Sequence, residues 1–170
     1  NFANDKAATG AGTASTGSGY DIVVQHSGLA DGLNVFAGYS HIDQISVSGV
    51  RDDDRTQYSV GFTYAVGSVT LGAQISNDDM AATTGTQAYD NLAYGISFAV
   101  NDDLTLSYGA HESTAESVDT AEVDNEAESI QLSYSMGGAS LKVAETSVDN
   151  AKYSTANDWD GTTVALTLAF

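Results

Sequence analysis

Apolar side chains recur at every second position in nine segments of this chain. In residues 57–66, for example, Tyr58, Val60 and Phe62 alternate with smaller or polar neighbours. A period of two is the pattern of a β-strand, and no segment of comparable length has helical spacing. The nine predicted strands are 20–25, 33–40, 57–66, 69–76, 92–100, 104–111, 130–136, 141–146 and 163–170. The pattern therefore predicts an all-β, antiparallel protein.

The connections between these strands alternate in length. The short ones, 27–32, 67–68, 101–103 and 137–138, contain the Gly, Asn, Asp and Ser residues that tight hairpins need. The long ones are 43–54, 77–89, 114–125 and 148–158. The acidic stretch 111–128 has too few apolar residues to bury a helix face, so we interpret it as a loop. Short turns at one end of a sheet and long loops at the other are typical of an outer-membrane β-barrel.

The two faces of each predicted strand differ in kind. One face is made of Leu, Val, Ile, Tyr and Phe, and the other of Gly, Ala, Ser, Thr and Gln with few charges. An apolar face toward lipid and a polar face toward water explain this contrast in a barrel. The alternative is a soluble meander with one solvated face, although such a face usually carries more Lys and Glu.

The amino-acid composition excludes several classes of function. The 170 residues include 5 Lys plus Arg and 23 Asp plus Glu, a net charge of −18, which excludes a surface that follows nucleic-acid phosphates. The chain has no Cys, hence no disulfide, thiolate zinc site or thiol nucleophile, and it has no Pro, which central strands exclude. No apolar run is long enough for a transmembrane helix.

Two segments resemble the Gram-negative general diffusion porins, most closely the alphaproteobacterial type. They are the final strand, 161–170, and the hairpin 58–72. Family members similarly end in an alternating strand with a terminal Phe, which the barrel-insertion machinery reads as an assembly signal. The matching residues here are Val164, Leu166, Leu168 and Phe170. The resemblance implies a homotrimeric channel in the bacterial outer membrane, in contact with lipid and lipopolysaccharide.

Barrels of this family have about 16 strands, whereas nine are visible here. An odd antiparallel sheet cannot close on itself without one parallel pair. We therefore expect the chain to be the C-terminal portion of a longer barrel, with residues 1–19 as a flexible loop and 20–170 as nine strands. The alternative is that 2–8 forms a tenth strand and the sheet closes alone. In the family, the constriction loop comes from the third hairpin, which this segment lacks.

Charged and amide side chains on the polar parity are the candidates for lining a channel, where they would bias which ions pass. Arg55 and Lys142 are the two cations among them. The full predicted set is Asp21, Gln25, Arg55, Gln57, Gln74, His111, Gln131 and Lys142. Tyr20, Tyr58, Tyr94 and Phe170 lie near strand ends, so we predict them to be membrane-interface aromatics.

The loops contain dense carboxylates. Asp52, Asp53 and Asp54 follow one another and would suit calcium, although we favour a solvated acidic surface. Residues 156–161 lack the ligands of an EF-hand, and His26, His41 and His111 show no metal spacing in the sequence.

The sequence as a whole predicts a porin for passive diffusion of small hydrophilic solutes and ions, biased toward cations. We expect such a channel to require no cofactor and to have no enzymatic activity. Two alternatives remain: a surface adhesin or binding protein that uses its acidic loops, and a barrel enzyme. No nucleophile elbow marks a catalytic triad, and the Gly-rich stretch 10–15 lacks the third Gly of a dinucleotide fingerprint.

Overall fold

The computed structural model describes residues 2–3, 16–51 and 53–168 of the chain. These residues form strands joined by turns and loops, and no helix lies among them. The strands are β1 (Phe2–Ala3), β2 (Thr16–His26), β3 (Leu33–Gln44), β4 (Arg55–Val66), β5 (Val69–Asp79), β6 (Thr86–Ala99), β7 (Leu104–Ser117), β8 (Val123–Met136), β9 (Ala139–Asp149) and β10 (Trp159–Leu168).

All ten strands form one antiparallel sheet in sequence order, from β1 to β10. The nine predicted strands correspond to β2–β10, and the tight turns at 67–68 and 137–138 are confirmed. Strand β1 is only two residues long, and it pairs with Gly19 and Tyr20 of β2. Within the described part of the chain, β1 and β10 do not pair with each other.

The predicted loop 1–19 is wrong in part. Strand β2 begins at Thr16, and Phe2–Ala3 is extended and paired. The alternative of a tenth strand over 2–8 is seen for those two residues, while residues 4–8 lie outside the described part. The register between Thr16 and Gly19 is shifted by an irregularity, which interrupts the alternation there and hides the strand from a period-two pattern.

The interpretation of 111–128 as a loop is also wrong. Strand β7 continues to Ser117 and β8 begins at Val123, so only five residues connect them. Glu112 lies directly opposite Glu126 in this extension. The ladder is made by backbone groups, so it continues through a segment whose outward side chains are acidic rather than apolar. The loop between β5 and β6 is shorter than predicted for the same reason.

The sheet has an apolar face, which carries Tyr58, Val60 and Phe62, and a polar face, which carries Gln57, Ser59 and Thr63. Large side chains of the apolar face are exposed: Val60 is 48% exposed, Ile130 58% and Val164 66%. Among the described residues, Gly61 of β4 is buried within the apolar band's height. The other buried residues, Ala81, Ala88, Ala115, Val148 and Ser113, all lie at the end of the sheet that carries the long loops, called the loop end below.

The apolar segments of successive strands are offset in one direction. The cross-strand row through Val60 is apolar from β2 to β6, but it reaches Glu112, Glu126 and Asp149 in β7–β9. The row through Val66 stays apolar as far as Val164 in β10. The apolar band, defined as this exposed apolar part of the face, therefore crosses the hydrogen-bonded rows diagonally.

The offset is about one residue per strand. Since a residue rises about 3.3 Å and strands lie about 4.8 Å apart, the strands are tilted by roughly 35° from the normal of the band. In β4 the band extends from Tyr58 to Val66. At that tilt those nine residues give a band about 25 Å tall, which is the height of the apolar belt of transmembrane barrels.

One glycine on the polar face makes room for an aromatic ring. A Cβ atom at Gly61 would lie 2.5 Å from Cζ of Phe36 and 2.8 Å from the carbonyl oxygen of Ala73. Gly61 and Phe36 are paired directly across β3 and β4. The Phe36 ring consequently covers the backbone where a side chain is missing, and any larger residue at position 61 would displace it.

Candidate functional site

The polar face is the candidate site because it brings together every residue predicted to line a channel. The register puts Gln25, Gln74 and His111 in one cross-strand row. The remaining predicted residues lie on the same face in other rows: Asp21, Arg55, Gln57, Gln131 and Lys142. A groove of about 530 Å³ on this face is lined by Asp21, Gln57 and Asp78 among others.

Arg55 is held by a carboxylate that sequence reasoning missed. Its Nε donates to Oδ1 of Asp78 at 2.8 Å, and a terminal nitrogen donates to Oδ2 at 2.5 Å. The hydrogen bonds from Arg55 lower the pKa of Asp78 below its ordinary value and raise the pKa of Arg55. Both residues lie on the loop-end side of the apolar band. Arg55 is thus one half of an ion pair, not a free cation.

Lys142 differs from Arg55 in both height and pairing. It lies opposite Ser133 of β8 and Ala165 of β10, at the level of the middle of the band. Its side chain is exposed, and it makes no ion pair with any described residue. Of the two cations predicted to line a channel, Lys142 is therefore the one whose charge is not paired with another described residue.

The loop between β9 and β10 packs over the polar face. The Oη atom of Tyr153 lies 2.7 Å from Oγ of Ser113, which also donates to Oδ1 of Asn91 at 2.6 Å. The ring of Tyr153 lies 5.2 Å from that of Tyr89, centroid to centroid. Ser113 is buried, with only 4% of its surface exposed. These contacts fix the loop against β6 and β7 at the loop end of the sheet.

The backbone of that loop is bent sharply to make these contacts. Asn150, Lys152 and Tyr153 all have positive φ angles, between 53° and 59°. Non-glycine residues rarely adopt this region, so the contacts must offset the local strain. Sequence reasoning missed Tyr153 because nothing local indicates that residue 153 meets residues 89 and 113.

The strong negative charge is concentrated away from the polar face. Among described strand residues, the polar face carries the carboxylates Asp21 and Asp78 and the cations Arg55 and Lys142. The apolar face carries its acids on the loop-end side of the band, and we call these the acidic collar. It comprises Asp43, Asp79, Asp90, Glu112, Glu116, Asp124, Glu126, Glu128, Glu145, Asp149 and Asp160.

Two members of the collar repel each other. The hydrogen bond and the charge of Asp90 raise the pKa of the Glu116 carboxyl above its ordinary value. Asp90 also accepts a hydrogen bond from Nδ2 of Asn77 at 2.7 Å. The collar is therefore crowded enough for one carboxylate to retain its proton more readily than in water.

The predicted interface aromatics fall on the apolar face where the structure describes them. Tyr20, Tyr58 and Tyr94 are exposed by 38%, 45% and 48%, on the loop-end half of the band. Val164, Leu166 and Leu168 of the predicted assembly signal share that face and are also exposed. Phe170 lies outside the described residues.

The predicted cluster of Asp52, Asp53 and Asp54 is divided. Asp52 lies outside the described residues, and Oδ1 of Asp53 accepts a hydrogen bond from the backbone of Asp54 at 2.8 Å. Asp54 instead meets His41 and Asp43, with ligand atoms of the three residues within 4.8 Å of one another. The sequence did not predict this group, because Asp54 lies 13 positions after His41 in the chain.

No protein-family model matches the chain, and no curated protein is significantly similar to it. In the described part of the chain, no helix is long and apolar enough to span a membrane.

Proposed function

We propose that the chain forms part of the wall of a transmembrane β-barrel in a bacterial outer membrane. Its polar face would line a water-filled channel for passive diffusion of small hydrophilic solutes and ions. The remaining wall would come from further strands beside β1 and β10, whose outer edges have no partner strand in the described part of the chain. In lipid, such edges must be paired, since unsatisfied backbone groups are costly there.

The diagonal apolar band is the observation that carries this proposal. A band of lipid-facing side chains must be level with the membrane, so strands that cross it at roughly 35° have the tilt of a membrane barrel. The exposure of Val60, Ile130 and Val164 supports the same reading, because soluble proteins rarely leave so large a contiguous apolar surface uncovered.

The polar face supports a channel rather than a plugged or solid interior. Its strand residues within the band are mainly Gly, Ala, Ser, Thr and Gln, with Lys142 as the cation at mid-height. Small side chains leave space for water, and amide and hydroxyl groups hydrate the wall. The opposite charges of Arg55 and Asp78 cancel in their ion pair, so the pair contributes little to ion selectivity. The positive charge of Lys142 remains, and it opposes the passage of cations along the wall.

We further propose that the cation preference originates at the loop end. The charges on the polar face balance, whereas the acidic collar and loops hold the excess carboxylates. Charges there attract cations to the entrance, but salt screens them over about 8–10 Å. The preference should therefore be marked at low ionic strength and weak at high ionic strength. A homotrimer, as the resemblance implies, would bring three such entrances together.

Conductance in a planar bilayer tests the proposal directly. Protein extracted from membranes in mild detergent is expected to insert and give stepwise openings in multiples of three. Reversal potentials under a salt gradient should show a cation preference that decreases as the salt concentration rises. Protein that is folded and inserted but electrically silent would overturn the diffusion role.

Cysteine labelling tests the orientation of the two faces independently. Because the chain has no native Cys, each single-cysteine variant carries one reactive thiol. Ser107→Cys on the polar face should react with a membrane-impermeant thiol reagent, while its neighbour Leu106→Cys should be protected in lipid vesicles. Equal labelling of the two positions would contradict a membrane-spanning β7.

A further inference from the structure

Three metal-ligating side chains converge on the loop-end side of the apolar band. His41 and Asp43 belong to β3, and Asp54 lies directly before β4. Nε2 of His41 is 3.2 Å from Oδ1 of Asp43 and 3.5 Å from Oδ2 of Asp54. One imidazole nitrogen bears at most one proton, so it cannot donate well to both carboxylates. The convergence of two negative groups on it favours a cation between them.

We infer that His41, Asp43 and Asp54 bind a divalent transition-metal ion of the zinc class. Four tetrahedral ligands at about 2.1 Å from a metal lie about 3.4 Å from one another. The two separations between His41 Nε2 and the carboxylate oxygens, 3.2 and 3.5 Å, lie on either side of that value. A His nitrogen with two carboxylate oxygens is a ligand set that such ions accept, with one position left open.

Neighbouring groups orient each ligand from outside the trio. The backbone N–H of Gln44 donates to Oδ1 of Asp54 at 2.7 Å, which leaves Oδ2 directed at the imidazole. The hydroxyl of Ser18 donates to Oδ2 of Asp43, which leaves its Oδ1 for the same purpose. The ring of Tyr20 lies 5.4 Å from the His41 ring. Groups that orient metal ligands in this way typically raise metal affinity by about 10-fold or more.

A pocket of about 350 Å³ lies beside the proposed site. Its lining includes His41 and Asp54 of the proposed site, together with Asp53 and Asp79. Water can therefore complete the coordination. The imidazole distinguishes this site from a calcium site, since calcium takes six to eight oxygen ligands. The site does not depend on the proposed channel, because it lies on the opposite face of the sheet.

A bound ion would connect the loop 45–54 to β3. Binding to the folded state alone stabilises it, and the gain increases with metal concentration. Chelation should accordingly loosen this loop before it affects the rest of the sheet.

Cobalt(II) titration of the folded protein in detergent tests the site. Cobalt is the probe because its visible absorption reports coordination by nitrogen and oxygen ligands, and zinc is then added as competitor. We expect saturable binding at one site per chain, displaced by zinc but not by calcium. His41→Gln and Asp54→Asn should each weaken binding about 10-fold or more.

Matched controls separate this site from general attraction to an acidic protein. His26→Gln removes a histidine from the opposite end of the same face, and Asp149→Asn removes another acid of the collar. Both should bind cobalt as the parent chain does, and circular dichroism should show an unchanged β-sheet in all four variants. Binding that is absent, or equal in His41→Gln and its controls, would overturn the inference.

Discussion

The apolar band and the loop end of the same sheet are held together by different means. In the band, large apolar side chains such as Val60 and Leu132 are exposed, and no other described part of the chain buries them. At the loop end, the contacts are polar and specific, as in the ion pair of Arg55 with Asp78. The stability of the band therefore depends on what surrounds the sheet, whereas the loop end is stabilised by contacts within the chain.

This difference explains why the residues with buried side chains lie at one end. Buried Ser113 contacts Tyr153 of the loop between β9 and β10, while no second layer covers the band in the described part of the chain. In water the band would be the weak region, and in lipid it would be the strong one. The comparison can be tested by substitutions that act on one region and leave the other unchanged.

The largest effect is expected for a charge placed in the middle of the band. Leu106→Arg on the apolar face should lower the free energy of unfolding in lipid vesicles by about 2–4 kcal/mol, the cost of arginine near the bilayer midplane. Ser107→Arg, its neighbour on the polar face, should cost less than about 0.5 kcal/mol, because that side chain remains in water. Denaturant titrations of both variants make the comparison.

A reversed order of these two variants would show that the faces are assigned the wrong way round. Equal costs in lipid would show that β7 does not cross the membrane. The same pair measured in detergent micelles gives the control for folding, since both variants should retain the sheet there.

The next effect concerns the ion pair at the loop end. Asp78→Asn leaves Arg55 beside a neutral amide and should cost about 1 kcal/mol, because both side chains are partly exposed and solvent screens the pair. The pKa of Asp78 is lowered in the folded chain. Its contribution is thus fully present above the ordinary carboxyl pKa and is lost as the pH falls through the lowered one.

The free energy of unfolding, measured as a function of pH, distinguishes the parent chain from Asp78→Asn. The parent chain should lose this contribution on acidification, and Asp78→Asn should show a correspondingly smaller loss over the same pH range. Asp149→Asn removes an equal charge from the acidic collar and serves as the control. A pH dependence that is identical in the parent and Asp78→Asn would mean that the pair contributes nothing to stability.

The sequence-based predictions agree with the structure for features that depend only on the two-residue period of a strand. They miss features that depend on the register between neighbouring strands. Alternation assigned Gln57 and Tyr58 to opposite faces, because side chains of successive strand residues point to opposite sides. It could not pair Arg55 with Asp78, since that contact needs the exact alignment of β4 on β5, and a slip of one residue would reverse the faces.

Contacts made by the loops could not be predicted from the sequence for a further reason. Tyr153 meets Ser113, and Asp54 meets His41, only because the sheet brings distant loops to one end. The acidic extensions of β7 and β8 were missed because the period-two signal was sought in apolar residues. Above the band the same alternation continues, with carboxylates such as Glu112 and Glu126 in place of Leu and Ile.

A smaller effect is expected from the free cation of the polar face. Lys142→Gln should shift the reversal potential toward greater cation preference, by a factor of about two in the permeability ratio, as one charge about 10 Å away in water would. Lys142→Arg preserves the charge and should leave the potential unchanged. An equal shift in both variants would mean that side-chain shape, not charge, is responsible.

The smallest effect is expected at the crowded carboxylates of the collar. Because Asp90 raises the pKa of Glu116, the folded chain is destabilised above that raised pKa, whereas below the ordinary pKa Glu116 is protonated in both states and adds nothing. Glu116→Gln should therefore raise the thermal midpoint slightly at neutral pH and leave it unchanged in acid. Glu116→Asp, which keeps the charge, should show no such gain, and added salt should remove the gain of Glu116→Gln. A stabilisation that persists in acid or in high salt would assign the effect to packing of the amide instead of relief of repulsion in the collar.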